Sequence, residues 1–241
     1  MMKLAIVTMI RNEAGNYLPA LLNAWQEFAD MLIVLDNNED DEDAKLIQKL
    51  WKKELVIGQF VDQEPAWGNE PKYRQQLFER AAKTDADWLL WLDADMIPLR
   101  DPKPLMMNAT VDAIAFPLYD LWQQNPLMYR EDWFWQAANN PRIWAIRKPS
   151  KNFKPEWLPN GLHCGHLPKN LEPIRVVIAP KKFALLHYAY AEEADRMLKH
   201  QMYLSQSEIL SDFQIAHAES IISPAPELFA LPYEPRWEIT K

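Results

Sequence analysis

The chain has 241 residues, 49% hydrophobic and 25% charged, the balance of a folded globular chain and not of a disordered one. Acidic residues outnumber basic ones 34 to 26, for a formal net charge of −8, which argues against generic nucleic-acid binding, since phosphate contacts need clustered cations. The single cysteine, Cys164, leaves no internal disulfide framework and suits a reducing compartment. The apolar start, Met1 to Ile10, is cut off at Arg11, too short for a signal peptide. No run approaches the ~20 apolar residues of a membrane span. A cytoplasmic protein without a membrane span is therefore expected.

Leu4 to Ile10 is a continuous apolar run rich in β-branched residues, as in a strand buried on both faces. Asn16 to Phe28 follows with Leu18, Leu21, Leu22 and Trp25 at helical spacing. Met31 to Leu35 reads as a second strand, Ala44 to Lys53 as a helix with Leu46, Ile47 and Leu50 inward, and Leu55 to Val61 as a third strand. Lys72 to Lys83 is a third helix, and Asp87 to Leu92 a fourth strand. Strands alternating with helices of this length predict a mainly parallel sheet with right-handed crossovers.

The second half is less regular and holds most of the 19 prolines. Val111 to Leu118, Arg142 to Arg147, Ile174 to Ile178 and Phe183 to His187 read as strands. Glu192 to Ala216 reads as one long helical stretch, with Met197, Leu198, Met202, Ile209 and Leu210 on its buried face. The tail from Ser223 carries Pro224, Pro226, Pro232 and Pro235, and should wrap as an extended segment or be mobile. With no internal repeat or low-complexity linker, residues 1–222 are expected to form one α/β domain followed by the Pro-rich tail 223–241.

Parallel sheets bind ligands beyond the carboxyl ends of their strands, and three such ends are polar here. The first strand ends in Thr8, followed by Arg11-Asn12-Glu13; the second ends in Asp36-Asn37-Asn38-Glu39-Asp40; the fourth ends in Asp93-Ala94-Asp95. In the last, an apolar strand delivers two carboxylates to one place, on one face if the chain stays extended. Paired carboxylates suit a hard divalent cation that also takes phosphate oxygens; a solvated turn with capping acids is the competing reading. The acid run from Asp36 is not a calcium loop, because the sixth and twelfth positions hold Asp41 and Ile47 where such loops need Gly and Glu.

The segment Leu89-Leu90-Trp91-Leu92-Asp93-Ala94-Asp95 resembles the DXD segment of family 2 glycosyltransferases with the GT-A fold. Three further stretches are similar to that family in the same order: Thr8 to Glu13, its first-strand segment; Val34 to Asp40, its aspartate-led nucleotide loop; and Lys72-Tyr73-Arg74-Gln75, its helix start, with Gln in place of Asn. The resemblance covers residues 3 to about 100 and is patchy beyond. It implies a GT-A-like α/β domain in which 1–100 bind the nucleotide-sugar and 101–222 form the acceptor half. By it, Thr8 and Asp36 would meet the nucleoside. Asp93 would approach the ribose or the metal, Asp95 would bind the metal, and Arg74 would order the acids or steady the diphosphate. The donor set expected on this basis is Thr8, Arg11, Asn12, Glu13, Asp36, Asn38, Lys72, Arg74, Asp93 and Ala94.

His187 ends a late strand, where related enzymes often complete the metal shell; with Asp93 and Asp95 it forms the expected set for Mn2+ or Mg2+. His163-Cys164-Gly165-His166 lacks the second pair a zinc site needs. His163 and His166, with Trp133 and Trp157, are acceptor-pocket candidates, because aromatic faces stack on sugar rings. Inverting transfer needs a carboxylate to take the acceptor hydroxyl's proton. Arg130-Glu131-Asp132-Trp133 resembles the family's Glu-Asp pair, so Asp132 leads, with Glu131 and Asp120 as competitors.

The function expected is transfer of a sugar from a UDP- or GDP-type donor to an acceptor that could be glycan, protein, lipid or modified nucleobase. A nucleotidyltransferase would open with a Gly-rich phosphate loop, and near the first strand only Gly15 is present. A non-catalytic sugar- or nucleotide-binding protein is the other rival.

Overall fold

A computed structural model of the chain describes residues 1–37, 41–59, 69–107, 110–159, 164–172, 175–205, 208 and 210–241. Strands β1 (Leu4–Ile10), β2 (Met31–Asp36), β3 (Glu54–Gln59) and β4 (Trp88–Trp91) lie in the order β3-β2-β1-β4 and run parallel throughout. Helices α1 (Leu18–Phe28), α2 (Glu42–Leu50) and α3 (Glu70–Lys83) lie between successive strands. Side chains alternate faces along a strand, and that alternation builds two cores. Leu4 and Ile6 of β1, Leu32 and Val34 of β2, and Trp88 and Leu90 of β4 join α1 and Ile47 of α2 in the larger one. Ala5, Val7, Met31, Ile33, Leu89 and Trp91 pack instead with Tyr73, Leu77, Phe78 and Ala81 of α3. A strand apolar at every position is thus satisfied on both faces.

The chain continues through β5 (Met96–Pro98), the short α4 (Lys103–Met106), β6 (Ala113–Phe116), β7 (Leu118–Gln123), β8 (Met128–Arg130), β9 (Arg142–Arg147), β10 (Val176–Ile178) and β11 (Leu185–His187). Strands β9, β6 and β10 extend the first sheet beyond β4, with β9 antiparallel to both of its neighbours. A second, five-stranded sheet has the order β12-β8-β7-β11-β5, its last-formed strand β12 (Leu228–Ala230) coming from the tail. In it β11 is parallel to β7, with His187 beside Asp120, and antiparallel to β5, with His187 beside Met96. The mixed α/β class and the parallel-rich sheet are as the sequence implied.

Three differences have physical causes. The strand read as 111–118 is two, because Pro117 has no N–H to give the ladder and the chain changes sheets there. The long helical stretch is also two, α5 (Glu193–Leu204) and α6 (Asp212–Ser220); Ser211 restarts the helix with a capping box shared with Gln214. Finally, the face of α5 expected to be buried is not. Met197 and Leu198 are exposed, and the helix turns polar groups inward instead: the Arg196 guanidinium donates to the carbonyls of Trp122 and Tyr190 at 3.0 and 2.7 Å, and Lys199 faces Asp95.

The tail is extended, pairing through β12 with β8 and burying Trp237 and Ile239 in the larger core, where Trp237 meets Phe28 at 5.2 Å between ring centroids. Among the described residues no helix is long and apolar enough to cross a membrane.

Candidate functional site

The carboxyl ends of β1, β2 and β4 lie side by side at one edge of the first sheet. Thr8 is buried in β1 beside Val34 of β2, and its hydroxyl has no hydrogen-bond partner among the described residues. Asp36 closes β2 and is buried. Asn37 follows, also buried; its backbone N–H donates to the Ile10 carbonyl at 3.0 Å, while both polar atoms of its side-chain amide lack partners among the described residues. Buried polar groups are nearly always satisfied, so Thr8 and Asn37 stand out at this edge of the sheet. The sequence reading favours its neighbour Asn38, which lies outside the described residues. The signal for Asn37 is its position, one step past a buried strand.

After β1 the loop turns at Asn12, whose φ is 58°, a left-handed conformation that Asn tolerates better than most residues. Asp43, fully buried in the first turn of α2, holds the loop by accepting from the N–H groups of Glu13 (3.0 Å) and Ala14 (2.6 Å). Arg11 and Asn12 are exposed, and Glu13 is half-buried. Lys72 is exposed in the first turn of α3, whereas Arg74 is buried there.

Asp93 and Asp95 leave β4 in a turn closed by the Met96 N–H donating to the Asp93 carbonyl at 3.1 Å, with Ala94 buried between them. Cations surround both carboxylates. Asp93 lies 3.9 Å from Arg74 and 3.4 Å from His166 Nε2; Asp95 lies 3.4 Å from His187 Nε2 and 3.8 Å from Lys199 Nζ. Arg74 is itself held by Glu70, whose other oxygen accepts from the Cys164 N–H, tying the segment before His166 to α3. Burial would raise both Asp pKa values, but the neighbouring cations outweigh it and hold both below the usual range. Burial would likewise lower His187, yet the Asp95 charge and the Asp120 hydrogen bond hold it up at about 9.

His187 Nδ1 meets Asp120 Oδ1 at 2.6 Å, a carboxylate–imidazole pair that leaves Nε2 toward Asp95. Metal-ligating histidines are oriented in this way, and two carboxylates supply hard oxygens. Among the described residues no three such side chains converge as a ready-made metal cage.

Above the acids opens a cleft of about 550 Å³, within the ~300–1,000 Å³ of small-ligand sites. Asp93, Asp120, His166 and His187 line its floor, and Trp133, Trp144 and Phe213 are among its aromatic walls. Neither of the other carboxylates considered for the base lines it. Asp132 accepts from the N–H groups of Phe134 and Trp135 at 2.9 and 3.2 Å and pairs with Arg130 at 2.6 Å, while Glu131 accepts from the Asn139 amide. Trp157 packs on α3, donating to Gln75 at 3.0 Å. His163 lies outside the described residues. A second cavity, about 570 Å³, sits by the amino end of β3 and the carboxyl end of α3, away from these acids, and mixes Glu54 and Glu79 with Arg80 and Lys83.

Fold and site together define an α/β protein whose parallel strands end on an acidic, cation-balanced cleft. No protein-family model matches the chain, and no curated protein does. Among solved structures it is similar to TarS from S. aureus: the 1–349 form gives TM-score 0.48 and 13% identity over 92% of this chain and 69% of that one. A second TarS structure gives 0.47 and 16%, and there the present chain covers only 42% of its length. Glucosyl-3-phosphoglycerate synthase from Mycobacterium tuberculosis, solved with Mn2+ and UDP-glucose, gives 0.34 and 18% over 49% of this chain and 44% of that one. The chemistry open to the cleft is set by its own side chains.

Proposed function

We propose that the protein is a glycosyltransferase, moving a sugar from a UDP- or GDP-type nucleotide-sugar to an acceptor hydroxyl with inversion, in a cytoplasmic setting that suits the lone buried Cys164. The observation that carries this reading is the Asp93–Asp95 pair at the carboxyl end of β4, opening on a cleft and facing four cationic or ligating side chains. In this reading Thr8, Asp36 and Asn37 take the nucleoside, Asn37 through its unsatisfied amide. Arg74 and Lys199 steady the diphosphate. Asp93, Asp95 and His187 would hold Mn2+ or Mg2+, which when bound offsets the charge that builds on a departing diphosphate.

The base is assigned by position. Asp132 leads on sequence, but one of its oxygens takes the N–H groups of its turn and the other pairs with Arg130, whereas Asp120 lines the cleft and uses one oxygen on His187. The acceptor hydroxyl gives its proton to Asp120 as its oxygen bonds to the anomeric carbon. The bond from that carbon to the diphosphate oxygen breaks, and the diphosphate leaves with the electron pair.

A thermal-shift series with UDP and GDP, with and without Mn2+, tests the reading. A ligand at a hundredfold excess over its Kd stabilises by ~2.7 kcal/mol. One of the two nucleotides should raise the melting temperature in an Mn2+-dependent way, and Asp95→Asn should abolish the metal dependence. The reading fails if neither nucleotide stabilises the parent, or if EDTA and Asp95→Asn change nothing. Slow donor hydrolysis then separates an enzyme from a binding protein.

A further inference from the structure

Trp133 and Phe213 line the mouth of the cleft and are 78% and 61% exposed. Large aromatics held in water are unusual unless they meet something. The backbone that carries them is held. Asp132 caps the turn that carries Trp133, and Arg130 and Trp135 tie that turn to Ser220 at the end of α6. Phe134 bridges the two walls, its ring centroid 5.8 Å from that of Phe213 on α6.

Between the aromatics the polar lining includes the amides of Gln136, Asn140 and Gln214, beside His217 and Tyr203; the Asn140 amide donates to Gln136 and the Gln136 amide to the Trp133 carbonyl. Cations are scarce. Arg142 is the one Lys or Arg among the described lining residues, and the segments outside the described residues contain no Lys or Arg at all. Arg74 and Lys199, the cations given above to the donor's diphosphate, lie beside Asp93 and Asp95 and do not line the aromatic walls. A phosphate or carboxylate entering here would find little charge-assisted hydrogen bonding and would approach two carboxylates, Asp93 and Asp120. Aromatic faces with amides between them suit a ring whose faces are C–H and whose edge is hydroxyl.

Building on the glycosyltransferase reading, we infer that the acceptor presents an uncharged saccharide ring, seated against Trp133 and Phe213 and hydrogen-bonded by Gln136, Asn140 and Gln214, with its reacting hydroxyl toward Asp120. The walls thus select neutral glycans over phosphorylated or otherwise anionic acceptors.

Saturation-transfer NMR on the full chain with UDP and Mn2+ tests this. The neutral probes are methyl glucoside, methyl galactoside, N-acetylglucosamine and lactose; the rivals are glucose 6-phosphate, glycerol 3-phosphate and a Gly-Ser-Gly peptide. At least one neutral sugar should bind, with affinity falling about tenfold in Trp133→Ala, as loss of an aromatic stacking contact predicts, and largely kept in Trp133→Phe. The inference is overturned if a phosphorylated probe or the peptide binds in preference. It is equally overturned if no neutral sugar binds, or if Trp133→Ala binds sugars as the parent does. Melting shifts with UDP and Mn2+, read on the same samples, report separately on the donor site; their absence in the parent sinks the glycosyltransferase reading itself.

Discussion

Asp132 and Asp120 sit twelve positions apart in sequence, one accepting backbone N–H groups in a turn and the other facing the cleft beside His187. Asp120→Asn also loosens His187, so at saturating Mn2+ it should still bind nucleotide but lose between about a hundredfold and ten-thousandfold in transfer. Asp132→Asn keeps an acceptor oxygen for the turn and should retain transfer within a few fold of the parent. Steady-state rates on one neutral acceptor decide, and the assignment reverses if Asp132→Asn is the dead variant. Glu13 supplies a pH test. Burial, then the charge of Asp95, push its carboxyl up to about 7. The folded state keeps a proton that the unfolded chain releases near 4.5. Its share of stability is thus full below that pH and is lost as pH rises to about 7. Glu13→Gln mimics the protonated form. In EDTA it should melt with the parent at about pH 4 and above it at about pH 8, by on the order of 1–3 kcal/mol after solvent screening. Equal melting at both values removes the burial argument.

At the scale of elements, α5 and α6 carry the instructive contrast. Apolar spacing points Met197 and Leu198 inward, yet the half-buried, inward side of α5 is the row Arg196, Lys199, Tyr203, because what the helix covers is an acidic cleft and not a core. Periodicity reports an apolar face only when the neighbour is apolar. The start of α6 is written in sequence as Ser211-Phe213-Gln214, the spacing of a capping box, but it is hidden inside the longer periodic run. Removing that cap by Ser211→Ala should cost about 0.5–2 kcal/mol and speed amide exchange at Gln214 and Ile215. Ser205→Ala, which loses only a bond to the Met202 carbonyl, should leave those amides alone. Uniform exchange in the two variants would mean that α6 is fixed by packing and not by its cap.

For the molecule as a whole, stability is concentrated where the two cores meet the sheet, and the tail belongs to the larger one. Trp237→Ala should lose about 3–5 kcal/mol, as large-to-small changes in packed interiors do. Trp133→Ala, at an exposed aromatic, should stay within about 0.5 kcal/mol. Urea midpoints for the pair measure this, and equal midpoints would show that the tail's packing adds nothing.

Residues 4–59 and 69–92 are legible because β1, β2 and β4 are apolar almost throughout and each helix carries one apolar stripe; such patterns are local and survive without knowledge of partners. For the same reason the acids at the ends of β1, β2 and β4 can be read as one edge of a sheet. The second half is not legible in this way. Its strands β5, β8 and β12 are three residues each, shorter than any period can register, and their partners lie far away in sequence. Which carboxylate faces the cleft, which histidine it holds, and which tryptophan stays in water depend on strand register across sheets: His187 meets Asp120 because β11 lies beside β7. The sequence by itself determined the parallel sheet and its acidic edge, since local patterning suffices for both. Only the tertiary structure decided the roles around the cleft, because those are set by contacts between residues that no local pattern connects.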